Sequence, residues 1–293
     1  MHQLKLDYSN VTGGWDAVYA RYLTEIMKYG DTFVGRNGET RSLFGSSCIV
    51  DLKQGFPLTR LRKMPQKNLF REFLFDIGFD QNVDALGPAR HFWDFLADDA
   101  GFLGASAYNR QWRMWPPSAP DSNVDNEVLY EVEVDQLQRV VEKLRESRGT
   151  RHATVITSNP TAVDPGCPPC HLGMQFMPRP NGDLDMMVPA RSNDMIVGFP
   201  LDIARYAIIT HVIARATDFK PGRVFMPSAN SHIYQNCYEL AQEIVGRPAK
   251  GECQLVISGD WNHKADYPLE LLKLEHFSIT NYEPNEALKV SVN

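Results

Sequence analysis

The sequence predicts an α+β fold: a mixed sheet around one long buried helix. Three observations carry that expectation. Strand-like segments crowd the second half of the chain without the regular βαβ alternation of a parallel fold. Residues 202–217 (DIARYAIITHVIARAT) have helical spacing but are apolar almost all round, which suits a helix enclosed by a core and not one lying on a surface. No linker or low-complexity tract divides the 293 residues, so 1–293 read as one domain, with 1–14 set apart as a variable N-terminal extension.

The other elements follow in order. Residues 15–30 (WDAVYARYLTEIMKYG) repeat apolar side chains at helical spacing and stop at glycine. Residues 43–51 (LFGSSCIVD) read as a strand, and 67–79 (KNLFREFLFDIGF) as an apolar helix interrupted by Arg71, Glu72 and Asp76. Residues 116–126 (PPSAPDSNVDN) are the clearest loop, and 134–147 an amphipathic helix with a charged outer face. Strands are expected at 152–157, 172–177, 184–188 and 223–226.

Composition narrows the function. A formal charge of −6 argues against a nucleic-acid binder, yet a few local arginines suffice for one small anion. No apolar run reaches the length of a bilayer and no secretory h-region opens the chain, so a cytoplasmic protein without a membrane partner is expected. Cys48, Cys167, Cys170, Cys237 and Cys253 read as free thiols in that compartment.

Four groups of residues can carry chemistry. Cys170 follows Cys167-Pro168-Pro169, whose prolines fix the backbone at a loop-to-strand junction, a suitable seat for a nucleophilic thiolate. Taken alone, a lone cysteine is more often structural. The CxxC spacing of Cys167 and Cys170 would otherwise suggest a redox pair, but no thioredoxin-like pattern surrounds it. In Arg191–Asp202, an arginine beside Ser192 can hold a phosphate, and Gly198 before Phe199-Pro200 lets a flat ligand approach the backbone. Asp202 opens the apolar helix, where an N-terminal cap is its plain explanation. His232 and Tyr234 alternate on an extended segment and face one side, suited to sugar hydroxyls or to solvent. Arg36, before a turn, and Arg151, before a strand, are singly no more than surface charges.

Together these segments resemble the thymidylate synthase family from about Trp15 to the C-terminus. The resemblance runs in register through Leu43-Phe44-Gly45, Gly55-Phe56-Pro57-Leu58-Thr59, Phe92-Trp93-Asp94 and Tyr108-Asn109-Arg110-Gln111-Trp112-Arg113. It continues through Pro168-Pro169-Cys170-His171, the Arg191–Asp202 stretch and Ser231-His232-Ile233-Tyr234. It implies an obligate homodimer with sheets packed back to back, a nucleoside monophosphate substrate, and 5,10-methylenetetrahydrofolate as one-carbon donor, with no metal. Cys170 takes the nucleophile's place, Glu72 that of the acid managing protons on the base, and Tyr108 that of a tyrosine near the nucleophile. Arg36, Arg191 and Ser192 match phosphate ligands, and Arg151 one reaching the partner subunit's site. His232 and Tyr234 match contacts to the sugar 3′-hydroxyl, and Trp93, Asp194 and Gly198 match positions lining the folate.

Departures from the family pattern are informative. His152 stands in place of a second phosphate-binding arginine, Leu96 in place of a tryptophan and Ala190 in place of a glutamine. Asp202 stands where uracil-specific members carry asparagine. An amide complements the O4 acceptor and N3 donor of uracil, whereas a carboxyl group accepts from the 4-amino group of cytosine and serves the proton that N3 gains after thiolate addition at C6. Mismatched buried polar groups cost several kcal/mol, so Asp202 favours cytosine. The pattern is similar to deoxycytidylate hydroxymethylases. The function expected is therefore 5-hydroxymethylation of CMP or dCMP, in which water adds to an exocyclic methylene; Leu96 and Ala190 leave room for that water. CMP would suit nucleoside-derived secondary metabolism, dCMP modified viral DNA. The rivals are a thymidylate synthase methylating dUMP and a silent nucleotide-binding homologue.

Overall fold

The computed structural model describes residues 5–7 (backbone), 14–35, 37–104, 107–115, 134–160, 168–248 and 250–290. A short strand β1 (Lys5–Asp7) precedes helix α1 (Gly14–Tyr29), the helix expected over 15–30. A hairpin follows, β2 (Asp31–Gly35) and β3 (Gly38–Asp51); the strand expected from 43 thus begins at Gly38. Helix α2 (Gln66–Asp76) is shorter than the periodicity of 67–79 suggests, its last turn closed by the Ile77 N–H on the Phe73 carbonyl. Two 3-10 helices, Val83–Phe92 and Asp94–Leu96, lead to α3 (Tyr108–Arg113). Helix α4 (Gln136–Glu146) is capped by Asp135, whose carboxylate accepts from the Gln138 N–H at 2.8 Å. The loop expected at 116–126 lies outside the described residues.

The second half supplies β4 (Thr154–Ile156), β5 (Gly173–Pro178), β6 (Asp183–Met187) and β7 (Asn193–Asp194). Helix α5 (Phe199–Ala216), β8 (Lys220–Tyr234), α6 (Tyr238–Gly246), β9 (Gln254–Ile257) and β10 (Phe277–Thr280) complete it. Strand β8 is far longer than the expected 223–226, because Pro221, Gly222, Ser228 and Asn230 interrupt its apolar pattern without interrupting its pairing to β3. The main sheet runs β1-β3-β8-β6-β5-β4, with β2 on β3 and β7 on the end of β8. Its β3–β8, β6–β5 and β5–β4 pairs are antiparallel, and its β1–β3, β6–β8 and β7–β8 pairs parallel. The expected α+β class with a mixed sheet is what the chain adopts.

Alternation along the strands divides the two faces. Val155, Phe176, Met186, Val224 and Met226 are buried, on the face that α1 and α5 approach. Ile156 and Met177, on neighbouring strands, are exposed. Helix α5 is the centre of the core: of its 18 residues only Leu201, Asp202, His211 and Arg215 are not buried. Pro200 fits its first turn, where no backbone N–H is needed. Among the described residues no helix is long and apolar enough to cross a membrane. Ile208 is fully enclosed in α5. Ile208→Ala should therefore lower unfolding free energy by about 2–5 kcal/mol in urea titrations; a loss below about 1 kcal/mol would contradict a tightly packed central helix.

Candidate active site

Cys170 sits half-buried just before β5, on a loop pinned from three sides. Its carbonyl accepts from the Arg191 N–H at 2.9 Å, and two residues on, Leu172 bonds to the Pro189 carbonyl and to the Thr157 N–H. Gly173 then enters β5 with φ +153°, where a Cβ would stand 2.3 Å from the Val155 carbonyl oxygen. Only glycine lets the chain pass so close to β4. The first residue of α3, Tyr108, completes the seat: its hydroxyl accepts from the backbone N–H groups of Cys170 and His171, each at 3.2 Å.

That double acceptance orders the next side chain. The Tyr108 hydroxyl also lies 3.2 Å from His171 Nδ1. With both lone pairs engaged, its own hydrogen goes to Nδ1, which leaves the imidazole proton on Nε2. Nε2 faces Asp202 Oδ2 at 3.7 Å. Burial holds the His171 pKa below its ordinary value, against the pull of Asp202, so the ring is neutral at pH 7. Burial likewise raises the Tyr108 pKa, and it serves as a neutral phenol.

Arg191, an expected phosphate ligand, turns two of its nitrogens toward the loop that carries Cys170. Nε donates to the Pro169 carbonyl at 2.9 Å, and Nη2 to that of Pro168 at 2.5 Å and to Cys170 Sγ at 3.6 Å. A guanidinium beside the sulfur is the kind of partner that stabilises a thiolate.

Asp202 is not a helix cap. Helix α5 starts at Phe199, and the Asp202 N–H already donates to the Gly198 carbonyl at 2.9 Å, inside the first turn. Pro200 starts the helix earlier than the apolar run indicates. Freed from capping, the carboxylate accepts from Arg205 Nη2 through Oδ1 at 2.7 Å and turns Oδ2 toward His171. A Cβ at Gly198 would stand 3.1 Å from that Oδ2, so glycine there keeps the carboxylate approachable.

Behind Asp202 lies a buried charge cluster. Arg205 is almost fully enclosed, and its Nη1 meets Asp76 Oδ2 at 3.0 Å. Its guanidinium lies 5.5 Å from the Tyr108 ring centre and 5.8 Å from that of Tyr206. Burial works against its charge, and Asp76, Asp202 and Glu72 more than restore it. Glu72, one helical turn before Asp76, is buried, and its pKa is pushed up to about 7 by desolvation, with Arg205 opposing and Asp76 and Asp202 adding. Asp76 is raised to about 6 for the same first reason. The Trp93 indole N–H approaches Glu72 closely enough to lower its pKa slightly but completes no hydrogen bond, a buried donor left for another acceptor.

The remaining expected residues form two further groups. Asp194 spends Oδ1 on the N–H groups of Ile196 and Val197 at 2.9 and 3.1 Å, closing the turn before α5. It pairs across β7–β8 with His232, whose pKa burial lowers. His232 and Tyr234 share one face with ring centres 5.0 Å apart. Ser192 lies between Arg191 and β7, partly buried. Arg151 and His152 are exposed beside β4, at the far edge of the sheet from β1. Arg36 lies outside the described residues.

The sequence profile of the family described as Thymidylate synthase matches residues 17–293. The chain belongs to the thymidylate synthase family. Thymidylate synthases from three strains of Coxiella burnetii are each 32% identical to it over 277 residues, covering 94% of this chain and 98% of theirs. Against that family scaffold, His171, Arg205 and Asp76 are the site residues that sequence reasoning passed over. A signal existed for two of them. An arginine inside an apolar helix and an aspartate inside another each require a buried partner.

The raised pKa of Glu72 has a measurable consequence. The folded protein keeps a proton there that the unfolded chain releases near pH 4.5, so this group's contribution to stability is lost as pH rises from about 4.5 to about 7. Glu72→Gln should gain about 2–3 kcal/mol relative to the parent between pH 5 and pH 8 in denaturant titrations. An unchanged difference at the two pH values would show that Glu72 ionises freely.

Proposed function

We propose that the protein transfers a one-carbon unit from 5,10-methylenetetrahydrofolate to C5 of a cytidine monophosphate, releasing the 5-hydroxymethyl nucleotide. One observation carries the choice of base: a carboxylate, Asp202, held by Arg205 with Oδ2 turned toward the nucleophile's neighbour His171. An ionised carboxylate has acceptors only. It meets the 4-amino group of cytosine favourably and the O4 of uracil with repulsion.

The chain's residues divide the work as follows. Cys170 Sγ bonds to C6 with Arg191 beside the sulfur, and C5 becomes nucleophilic. The proton that N3 then takes up is held against Asp202. The folate, when bound, supplies a carbon at the oxidation level of formaldehyde. Trp93, with its unspent indole N–H, and Gly198, whose lack of a Cβ keeps the approach open, are suited to its surroundings, as is Asp194. C5 takes the methylene carbon and loses its proton, and the N–CH₂ bond to the folate breaks so that tetrahydrofolate leaves and an exocyclic methylene remains on the ring; Glu72, poised near pH 7, manages protons on the base through water. Water then adds its oxygen to that methylene, its proton passing to solvent, and Sγ departs from C6 with the electron pair of the C–S bond. Arg36, Arg191, Ser192 and a partner subunit's copy of Arg151 would hold the phosphate, and His232 with Tyr234 the 3′-hydroxyl. The homodimer this requires fits the apolar Ile156 and Met177 exposed on the outer sheet face. Catalysis rests on the protein's own groups and the folate, without a metal.

A second reading, methylation of dUMP, is favoured by the three Coxiella burnetii relatives, which are thymidylate synthases. The test is tritium release from C5-labelled CMP, dCMP, UMP and dUMP with methylenetetrahydrofolate, with the product mass determined. Release from a cytosine nucleotide and a hydroxymethyl product are expected, and Cys170→Ser should lower the rate by at least about 10³-fold. A methyl product formed from dUMP alone, with dihydrofolate, would establish the second reading. No turnover of any of the four would mark a silent homologue.

A further inference from the structure

The charge cluster behind Asp202 is larger than base recognition alone requires. A guanidinium is enclosed within the core and takes two aspartates, one from each of two helices: Asp202 one turn before it on α5, and Asp76 on α2. Burying such a group is costly unless its partners are fixed, so the arrangement is rigid. We propose that Arg205, anchored by Asp76, is a positioning residue that holds Asp202 with Oδ1 bound and Oδ2 presented to the base, and so acts as a second determinant of base choice.

The argument rests on donor and acceptor inventory. Arg205 can only donate. Facing an aspartate, it binds Oδ1 at 2.7 Å, so the oxygen left for the ring is Oδ2, an acceptor. Without the guanidinium, nothing on that side fixes which oxygen of residue 202 meets the ring or at what angle. The carboxyl group can then turn away from the amine of cytosine, and the preference it carries weakens. Facing an asparagine at position 202, the same guanidinium would bind the amide oxygen and turn the NH₂ toward the ring, the donor that O4 of uracil needs. Arg205 thus converts the identity of residue 202 into a defined pattern in either case. The groups facing it are Asp76 and Glu72 from α2, Tyr108 from α3, and Asp202 and Tyr206 from its own helix. None of the neutral ones can replace its charge.

This inference deepens the cytosine reading and rests on it, but the two fail separately. The experiment compares tritium release from C5-labelled cytosine and uracil monophosphates by the parent, Arg205→Gln, Asp76→Asn with Arg205→Gln, Asp202→Asn, and Asp202→Asn with Arg205→Gln. The quantity read is the ratio of kcat/KM for the two bases. A purely structural defect lowers both bases together and leaves the ratio alone. Loss of positioning should shrink the parent's preference by roughly tenfold or more in Arg205→Gln. Asp202→Asn should turn the preference toward uracil, and adding Arg205→Gln to it should abolish most of that turn. The paired variant, which replaces two charges by two neutral hydrogen-bonding side chains, gives the same reading if Arg205→Gln alone misfolds. Ratios within twofold of the matching parent in both Arg205 backgrounds would overturn the proposal, whichever base is preferred. A parent that acts on uracil alone would overturn the cytosine reading, and the Arg205 arms would still report whether the guanidinium positions residue 202.

Discussion

A guanidinium enclosed in a protein core must find anions whose positions do not drift, because desolvation of the charge costs several kcal/mol that only well-placed partners offset. Arg205 meets that requirement with Asp76 at 3.0 Å and Asp202 at 2.7 Å. The consequence reaches beyond the ion pairs. Helices α2 and α5 are tied together at one point, so Glu72, one turn from Asp76, and Asp202, one turn from Arg205, are held in a fixed relation. Asp202 and Glu72 are therefore two ends of one electrostatic unit, and the charge of Asp202 adds to the rise of the Glu72 pKa that burial causes. Three carboxyl groups surround one cation. Burial above all, with the neighbouring carboxylates adding to it and Arg205 opposing, keeps protons on two of them: Glu72 is raised to about 7 and Asp76 to about 6.

Cys170 is held by a second, mostly neutral network that meets the first at His171. Tyr108 ties the Cys170 and His171 backbone to α3, and its remaining hydrogen sets the imidazole tautomer. His171 Nε2 then looks at Asp202. The Cys170 backbone, the phenol, the imidazole and the carboxyl group of Asp202 form one chain of contacts, in which each group fixes the donor or acceptor role of the next. Burial keeps the phenol and the imidazole neutral, and a guanidinium stands at each end, Arg191 beside the sulfur and Arg205 on Asp202.

What could be read from the sequence follows from the range of the forces involved. Helix α5 was legible because its apolar residues are local and continuous, and α1 because glycine stops its pattern. Strand β8 was legible only over 223–226; its start is strand because β6 pairs with it and its end because β3 and β7 do, which no local pattern encodes. Cys170, Glu72 and Asp202 were singled out through their place in a family pattern, and the structure sets Cys170 beside Arg191 and Asp202 beside Arg205, with Glu72 buried one turn from Asp76. Their partners were not found. Asp76 and Arg205 are 129 positions apart, and a charge within an apolar helix reveals that a partner exists without revealing which. The plain alternative for Asp202, an N-terminal cap, is excluded by a boundary the local pattern hides: the apolar run begins after it, but the helix begins at Phe199, before Pro200.

The partnership also bears on why a carboxylate is workable at position 202 at all. An amide keeps its donor and acceptor at any pH and needs no counter-charge. A carboxylate lies near two other carboxyl groups here and has two equivalent oxygens, so its orientation, and with it any discrimination, depends on what holds the oxygen that does not face the ligand. Replacing an amide by an acid at this position is therefore more than a local change of one atom. It becomes selective only with a cation behind it, and a cation enclosed in the core in turn needs an anion on its far side. Asp202, Arg205 and Asp76 satisfy that sequence of requirements in order along one line of contacts.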